Sequence, residues 1–152
     1  MLLGLGLSAA PETFSGIPSS HSRHSHENAR VSPASTPVLV VDDDPDIREA
    51  VQDILSFEGY QVVQADNGRE ALELLGREPR LRPCLILLDL MMPVMDGEEL
   101  VGHLQKVPAL ATLPVILVTA SGRGMLPGVK AIIKKPFDMD ELLAAVAAHC
   151  HP

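Results

Sequence analysis

The sequence predicts a doubly wound α/β domain built on a five-stranded parallel sheet. Short, wholly apolar runs recur and end in acidic or polar residues, as strands buried on both faces require. Between them, apolar residues return at helical spacing. From Val38 onward the two patterns alternate, the order produced when right-handed crossovers join parallel neighbours.

Val38–Val41 is the first strand. Ile47, Ala50, Val51, Ile54 and Leu55 then mark one face of a helix, which Gly59 stops. Gln61–Ala65 is the second strand, followed by Asn67 and Glu70 at capping-box-like spacing ahead of Ala71, Leu72, Leu74 and Leu75. Cys84–Leu88 is the third strand, and Asp96 and Glu99 open a helix with Leu100, Val101 and Leu104 as its apolar positions. Val115–Val118 and the shorter Ala131–Ile133 complete the sheet. In the last helix Asp138 and Glu141 are spaced as N-cap and N3, and Phe137 is placed to staple onto Leu142. Its core face comprises Leu142, Leu143, Val146 and Cys150.

Composition sets limits on function. The chain has 152 residues and a formal net charge of -8, which argues against a nucleic-acid surface of clustered Lys and Arg. With aromatics at 3% and no Trp, the core must be mainly aliphatic. No apolar run approaches the ~20 residues of a membrane span, and no Lys or Arg precedes the apolar Met1–Ala10 stretch as in a secretory signal. The expected compartment is the cytoplasm. Cys84 and Cys150 have no CxxC spacing, so two reduced thiols are expected.

Residues 1–36 are expected to be a disordered extension ahead of a domain over 37–152. Residues Pro11 to Pro37 are rich in Ser, Pro, His and Gly and have no helical or strand period. His21, His24 and His26 cluster there without an accompanying thiol or carboxylate pattern, and read as solvated tail. His103, His149 and His151 read as surface or terminal residues.

The polar residues fall in one place on this frame. Asp42 and Asp43 follow the first strand, Asp89 the third, Thr119 the fourth and Lys135 the fifth. All five lie at the carboxyl ends of strands, where open α/β sheets bind ligands. Three carboxylates this close repel one another, so one holds a proton or the group recruits a cation. All-oxygen ligands suit a hard divalent ion such as Mg²⁺. A hydroxyl and an ammonium beside them can hold phosphoryl oxygens, and phosphoryl transfer asks chiefly for positioning and charge stabilisation.

The strings Val40-Val41-Asp42-Asp43-Asp44-Pro45, Leu88-Asp89-Leu90-Met91-Met92-Pro93, Asp96-Gly97, Val118-Thr119-Ala120 and Lys135-Pro136-Phe137 resemble receiver domains of two-component response regulators. The resemblance runs from about Pro37 to the C-terminus. It implies a flavodoxin-like (CheY-like) strand order of 2-1-3-4-5. It also implies that Asp89 accepts phosphate from a sensor histidine kinase or histidine phosphotransfer protein. Asp42, Asp43, Asp89 and the Met91 carbonyl would hold Mg²⁺. Thr119 would bind the phosphoryl group, Lys135 would pair with Asp89 or its phosphate, and the Lys135–Pro136 peptide would be cis. Asp44 reads as a solvated residue or helix cap, and Met91 and Met92 as packing beside the site.

The sequence departs from the family pattern twice. Ile132 stands where receivers usually carry the Tyr or Phe that reports phosphorylation. The segment Ala120–Lys134 is short and holds Gly122, Gly124, Pro127 and Gly128, leaving no room for a full fourth helix. Signalling by protein–protein contact, through an unknown output protein, is expected, without a catalytic output. Two alternatives stay open: a degenerate receiver acting as a constitutive adaptor, and an aspartyl-phosphate phosphatase. The second is disfavoured, because the position two residues beyond Asp89 is Met91, which cannot act as general acid or base.

Overall fold

The computed structural model describes residues 36–152; the expectation for 1–36, Thr36 apart, lies outside the described residues. The strands are β1 (Val38–Val41), β2 (Val62–Ala65), β3 (Leu85–Leu88), β4 (Val115–Thr119) and β5 (Val129–Lys134). They form one sheet of order β2-β1-β3-β4-β5, and every neighbouring pair is parallel. This is the predicted topology. Its strands lie within two residues of their expected bounds.

The central strands β1 and β3 are wholly apolar, and β4 is apolar up to Thr119, because both faces are covered. Leu39, Val41, Ile86, Leu88 and Leu117 turn to a cluster that Ala71, Leu75, Leu100 and Leu104 close from one side. Val38, Val40, Leu85, Leu87 and Ile116 turn the other way, to Val51, Leu55, Leu142 and Val146. Thus α1 (Pro45–Phe57) and α5 (Met139–Ala147) cover one face, and α2 (Gly68–Arg77) and α3 (Gly97–Lys106) the other. A single turn, α4 (Pro108–Ala111), leads into β4.

Capping residues fix where the helices begin, and so where the strand-end loops point. Asp44 caps α1 by accepting the Asp46 N–H at 2.9 Å, so the third acid of its run is a cap, as expected. Asn67 caps α2 by accepting the Glu70 N–H, while the Glu70 carboxylate reaches the N–H of Asp66 rather than that of the cap residue. Asp96 and Glu99 form a complete capping box on α3. Asp138 caps α5 through the Asp140 N–H, one residue short of the spacing suggested by Glu141. Phe137 packs into the same cluster as Leu142, and Gly59 turns the chain after α1 with φ +90°.

The crossover from β4 to β5, residues Ala120–Gly128, contains no helix. Parallel neighbours are usually joined by a helix; here Leu126 alone of the crossover tucks against the core, and Met125 is exposed.

One expectation is overturned. Cys84 and Cys150 are joined in a disulfide, with Cα atoms 5.5 Å apart. Their separation of 66 residues in sequence concealed that α5 runs back along the sheet, setting its end beside the start of β3. The closing His149-Cys150-His151 therefore has no thiolate to offer a metal.

Candidate functional site

Each predicted site residue sits just past, or at the end of, a strand. Asp42 follows β1, Asp89 follows β3, Thr119 ends β4 and Lys135 follows β5. The backbone ties these ends together: the Asp89 N–H donates to the Val41 carbonyl at 2.9 Å, and the Lys135 N–H to the Thr119 carbonyl at 3.0 Å. The parallel sheet therefore sets its acid, hydroxyl and ammonium groups side by side. The Lys135–Pro136 peptide is cis, as the resemblance implied.

Asp42, Asp43 and Asp89 bring carboxylate oxygens within 4.8 Å of one another. Asp42 and Asp89 are buried, while Asp43 is exposed and opens the cluster to solvent. Lys135 Nζ lies 2.7 Å from Asp42 Oδ2 and 3.5 Å from Asp89 Oδ2. The tighter pairing is thus with Asp42, whereas the sequence pointed to Asp89. With all three acids ionised, one ammonium leaves two negative charges uncompensated.

Burial pushes the Asp89 carboxyl above the usual carboxylate range. Lys135 opposes that shift, and the neighbouring Asp42 and Asp43 reinforce it. A hard cation with several oxygen ligands would relieve both the repulsion and the desolvation, and this donor set fits one. Thr119 is wholly buried, and its hydroxyl oxygen accepts the Ser121 N–H at 3.1 Å. The Met91 N–H approaches Asp89 Oδ1 at 3.5 Å, a long contact.

One expectation needs adjusting beside the site. Met91 is 70% exposed rather than packed in, while Met92 is half-buried against the core. Ile132 is half-buried in the cluster under α2 and α3, an aliphatic side chain where a ring was absent from the sequence.

Two supporting residues were not singled out as such. The Arg48 guanidinium donates to the Asp42 carbonyl at 2.5 Å and to Gln64 at 3.2 Å, bracing the β1 end against β2. Nothing in the sequence marks that role. In the sequence, Gly97 stands out only as part of the Asp96-Gly97 motif. A Cβ placed there would lie 2.5 Å from the Asp89 carbonyl oxygen and 2.9 Å from Leu90 Cα, so α3 approaches the Asp89 backbone as closely as it does only because this residue has no side chain.

Comparison with known proteins agrees with this geometry. A family model described as the response regulator receiver domain matches residues 38–147. The chain is 41% identical over 123 residues to an uncharacterised 14.6 kDa protein of Leptolyngbya boryana, covering 77% of this chain and 92% of the relative. It is 39% identical to the response regulator MprA of Mycolicibacterium vanbaalenii over 73% of this chain and 48% of MprA. It is 38% identical to the DNA-binding dual master transcriptional regulator RpaA of Synechocystis, over 73% of this chain and 47% of RpaA. The chain spans about half the length of those two named regulators.

Among solved structures, the receiver domain of a signal transduction histidine kinase from Syntrophus aciditrophicus superposes with a TM-score of 0.68 at 35% identity, covering 75% of this chain and 89% of that one. The chemotaxis protein CheY4 of Vibrio cholerae superposes with a TM-score of 0.67 at 31% identity, covering 76% and 99%. No helix among the described residues is long and apolar enough to cross a membrane. Fold, site and relatives agree: this chain belongs to the response regulator receiver domain family, the phospho-accepting regulatory modules of two-component signalling.

Proposed function

We propose that Asp89 is the phospho-acceptor of this receiver, and that a sensor histidine kinase or a histidine phosphotransfer protein supplies the phosphoryl group. The observation that carries this reading is the convergence of three carboxylates within 4.8 Å, with Lys135 in contact with two of them. An Asp89 oxygen forms the new bond to phosphorus as the P–N bond of the donor phosphohistidine breaks and its electron pair leaves with the imidazole. Asp42, Asp43, Asp89 and the Met91 carbonyl would hold Mg²⁺, which when bound neutralises the excess negative charge and draws phosphoryl oxygens in. Lys135 is within reach of an oxygen on Asp89, and the Thr119 hydroxyl stands at the neighbouring strand end to accept or donate a hydrogen bond.

The domain is a regulatory module whose chemistry is confined to its own aspartyl phosphate. Output passes through protein–protein contact in the cytoplasm, with the phosphate at Asp89 biasing conformation. The constitutive-adaptor reading draws on the helix-free crossover and on Ile132, since both remove parts on which a phosphate-driven switch could act.

Acetyl phosphate with Mg²⁺, read by intact mass on the wild type and on Asp89→Asn, separates the two. A Mg²⁺-dependent phosphate adduct, lost in the variant, supports the acceptor role. Folded, Mg²⁺-binding protein that takes no phosphate from acetyl phosphate or from a phosphorylated histidine kinase would instead assign the domain to the adaptor class.

A further inference from the structure

An open groove lies away from Asp89, toward the pole where the strands begin. It holds about 790 Å³, and Pro37, Tyr60, Val62, Val63, Leu74 and Leu81 supply its apolar lining. It also follows a sheet edge, since β2 is the terminal strand among the described residues.

The β1 ladder shows which way the β2 backbone faces. The Gln61 carbonyl accepts the Val38 N–H at 2.9 Å, and the Ala65 carbonyl accepts the Asp42 N–H at 3.2 Å. Alternation along the strand therefore turns the N–H and C=O of Val62 and Gln64 outward, away from β1. Val62 packs in the cluster beneath α1 and Val63 in the cluster beneath α2. The groove thus wraps both faces of the edge, with Gln52 and Ser56 of α1 on one flank and Leu74 of α2 on the other. β2 reads Val-Val-Gln-Ala, with none of the Lys, Pro or bulge features that ordinarily protect an edge strand from pairing.

Charge marks one rim. Arg80 and Arg82 both line the groove and are exposed, and neither has a carboxylate within 4.0 Å among the described residues. Glu78 is the acid on the same rim. In a chain of net charge -8, two unpaired guanidiniums beside an open strand edge are a local exception, and they suit carboxylates.

We propose that this edge is a docking site for an extended acidic segment of a partner protein, which adds a strand beside β2 and sets its carboxylates against Arg80 and Arg82. Backbone hydrogen bonds to Val62 and Gln64 give such a segment its affinity. Apolar side chains seated on Tyr60, Leu74 and Leu81 give it register. The site is independent of the phosphoryl-acceptor reading.

The test titrates the ¹⁵N-labelled full chain with a short synthetic peptide of alternating Glu and Val, and with its Lys-for-Glu counterpart. The expected result is amide shifts concentrated at Val62, Val63, Gln64, Arg80 and Arg82, slowed exchange of the Val62 and Gln64 amides, and binding at least about tenfold weaker for the lysine peptide. The Arg80→Glu/Arg82→Glu double variant changes only exposed side chains. It should weaken binding of the acidic peptide at least about tenfold while leaving acetyl phosphate labelling of Asp89 unchanged. The proposal is overturned if the β2 amides do not move at about 1 mM peptide, or if both peptides bind equally. It is also overturned if the same shifts arise from concentration alone, which would assign the edge to a second copy of the chain.

Discussion

Gly97→Ala is the sharpest perturbation available, because a single methyl group meets only backbone. The added Cβ would stand 2.5 Å from the Asp89 carbonyl oxygen, 2.9 Å from Leu90 Cα and 3.2 Å from the Asp89 carbonyl carbon. Ordinary contact begins near 3.4 Å, so either α3 or the Asp89 peptide must retreat by close to an ångström. Neither is free to do so: the Gly97 N–H donates to the Leu90 carbonyl at 3.0 Å, and the Asp96–Glu99 capping box pins the start of α3. Overpacking of this kind costs about 1–3 kcal/mol, and replacing Gly by Ala at a helix position returns up to about 1 kcal/mol. With the full return, a net loss of up to about 2 kcal/mol follows.

The consequence for chemistry is larger than that for stability. Displacing a reacting group by about 1 Å can cost about 100-fold in rate, so acetyl phosphate labelling of Gly97→Ala should slow by about 10- to 100-fold in protein that is still folded. Gly102→Ala is the control. It lies in the same helix, a Cβ there meets nothing within 4 Å, and it should gain up to about 1 kcal/mol with labelling unchanged. Denaturant unfolding and initial labelling rates by intact mass give both quantities. Wild-type labelling by a folded Gly97→Ala protein would refute the claim that the approach of α3 positions Asp89.

Three further outcomes follow from the structure. The Cys84–Cys150 bond closes a loop of 66-residue separation, so its reduction should remove about 4 kcal/mol by the chain-entropy estimate and lower Tm by on the order of 10 °C. Quantitative alkylation of both cysteines in native, unreduced protein would contradict the bond itself. Val94 holds a left-handed φ of +69° while 69% exposed, a conformation that costs a β-branched residue about 1–2 kcal/mol. Val94→Asn should therefore raise Tm by a few degrees, and a lowered Tm would show that the turn needs the valine.

The third outcome concerns pH. Because burial raises the folded-state pKa of Asp89 above its ordinary value of 3.8, the native state holds its proton where the unfolded state has released it. Stability then falls as pH rises through that window and stays lower above it. Metal-free Asp89→Asn should accordingly be more stable than the wild type at neutral pH, with the gap closing in acid. A gap independent of pH in thermal melts, or a wild type more stable at neutral pH, would contradict the burial argument.

The sequence by itself determined the elements and the composition of the site, because both are written in short-range patterns. Four consecutive aliphatic residues such as Leu85–Leu88, alternating with helical patterns, are what a strand covered on both sides presents. The Asp96–Glu99 spacing specifies a helix start whatever surrounds it. Parallel connectivity then carries Asp42, Asp89, Thr119 and Lys135 to one edge without any knowledge of packing. Even the loss of the helix between β4 and β5 was legible, since Gly122, Gly124, Pro127 and Gly128 disfavour one locally.

What tertiary structure decided were relations between distant segments, in which several arrangements share one sequence pattern. Lys135 had two acids in reach, and the strand-end geometry gave the shorter contact to Asp42. Cys84 and Cys150 carried no spacing signal, and only the return of α5 along the sheet brought them together. Met91 lies outside the packed core because its loop turns it to solvent. The groove at β2 exists because, among the described residues, that strand is last in the sheet, its Val62 and Gln64 backbone groups turned outward with no described strand to meet them.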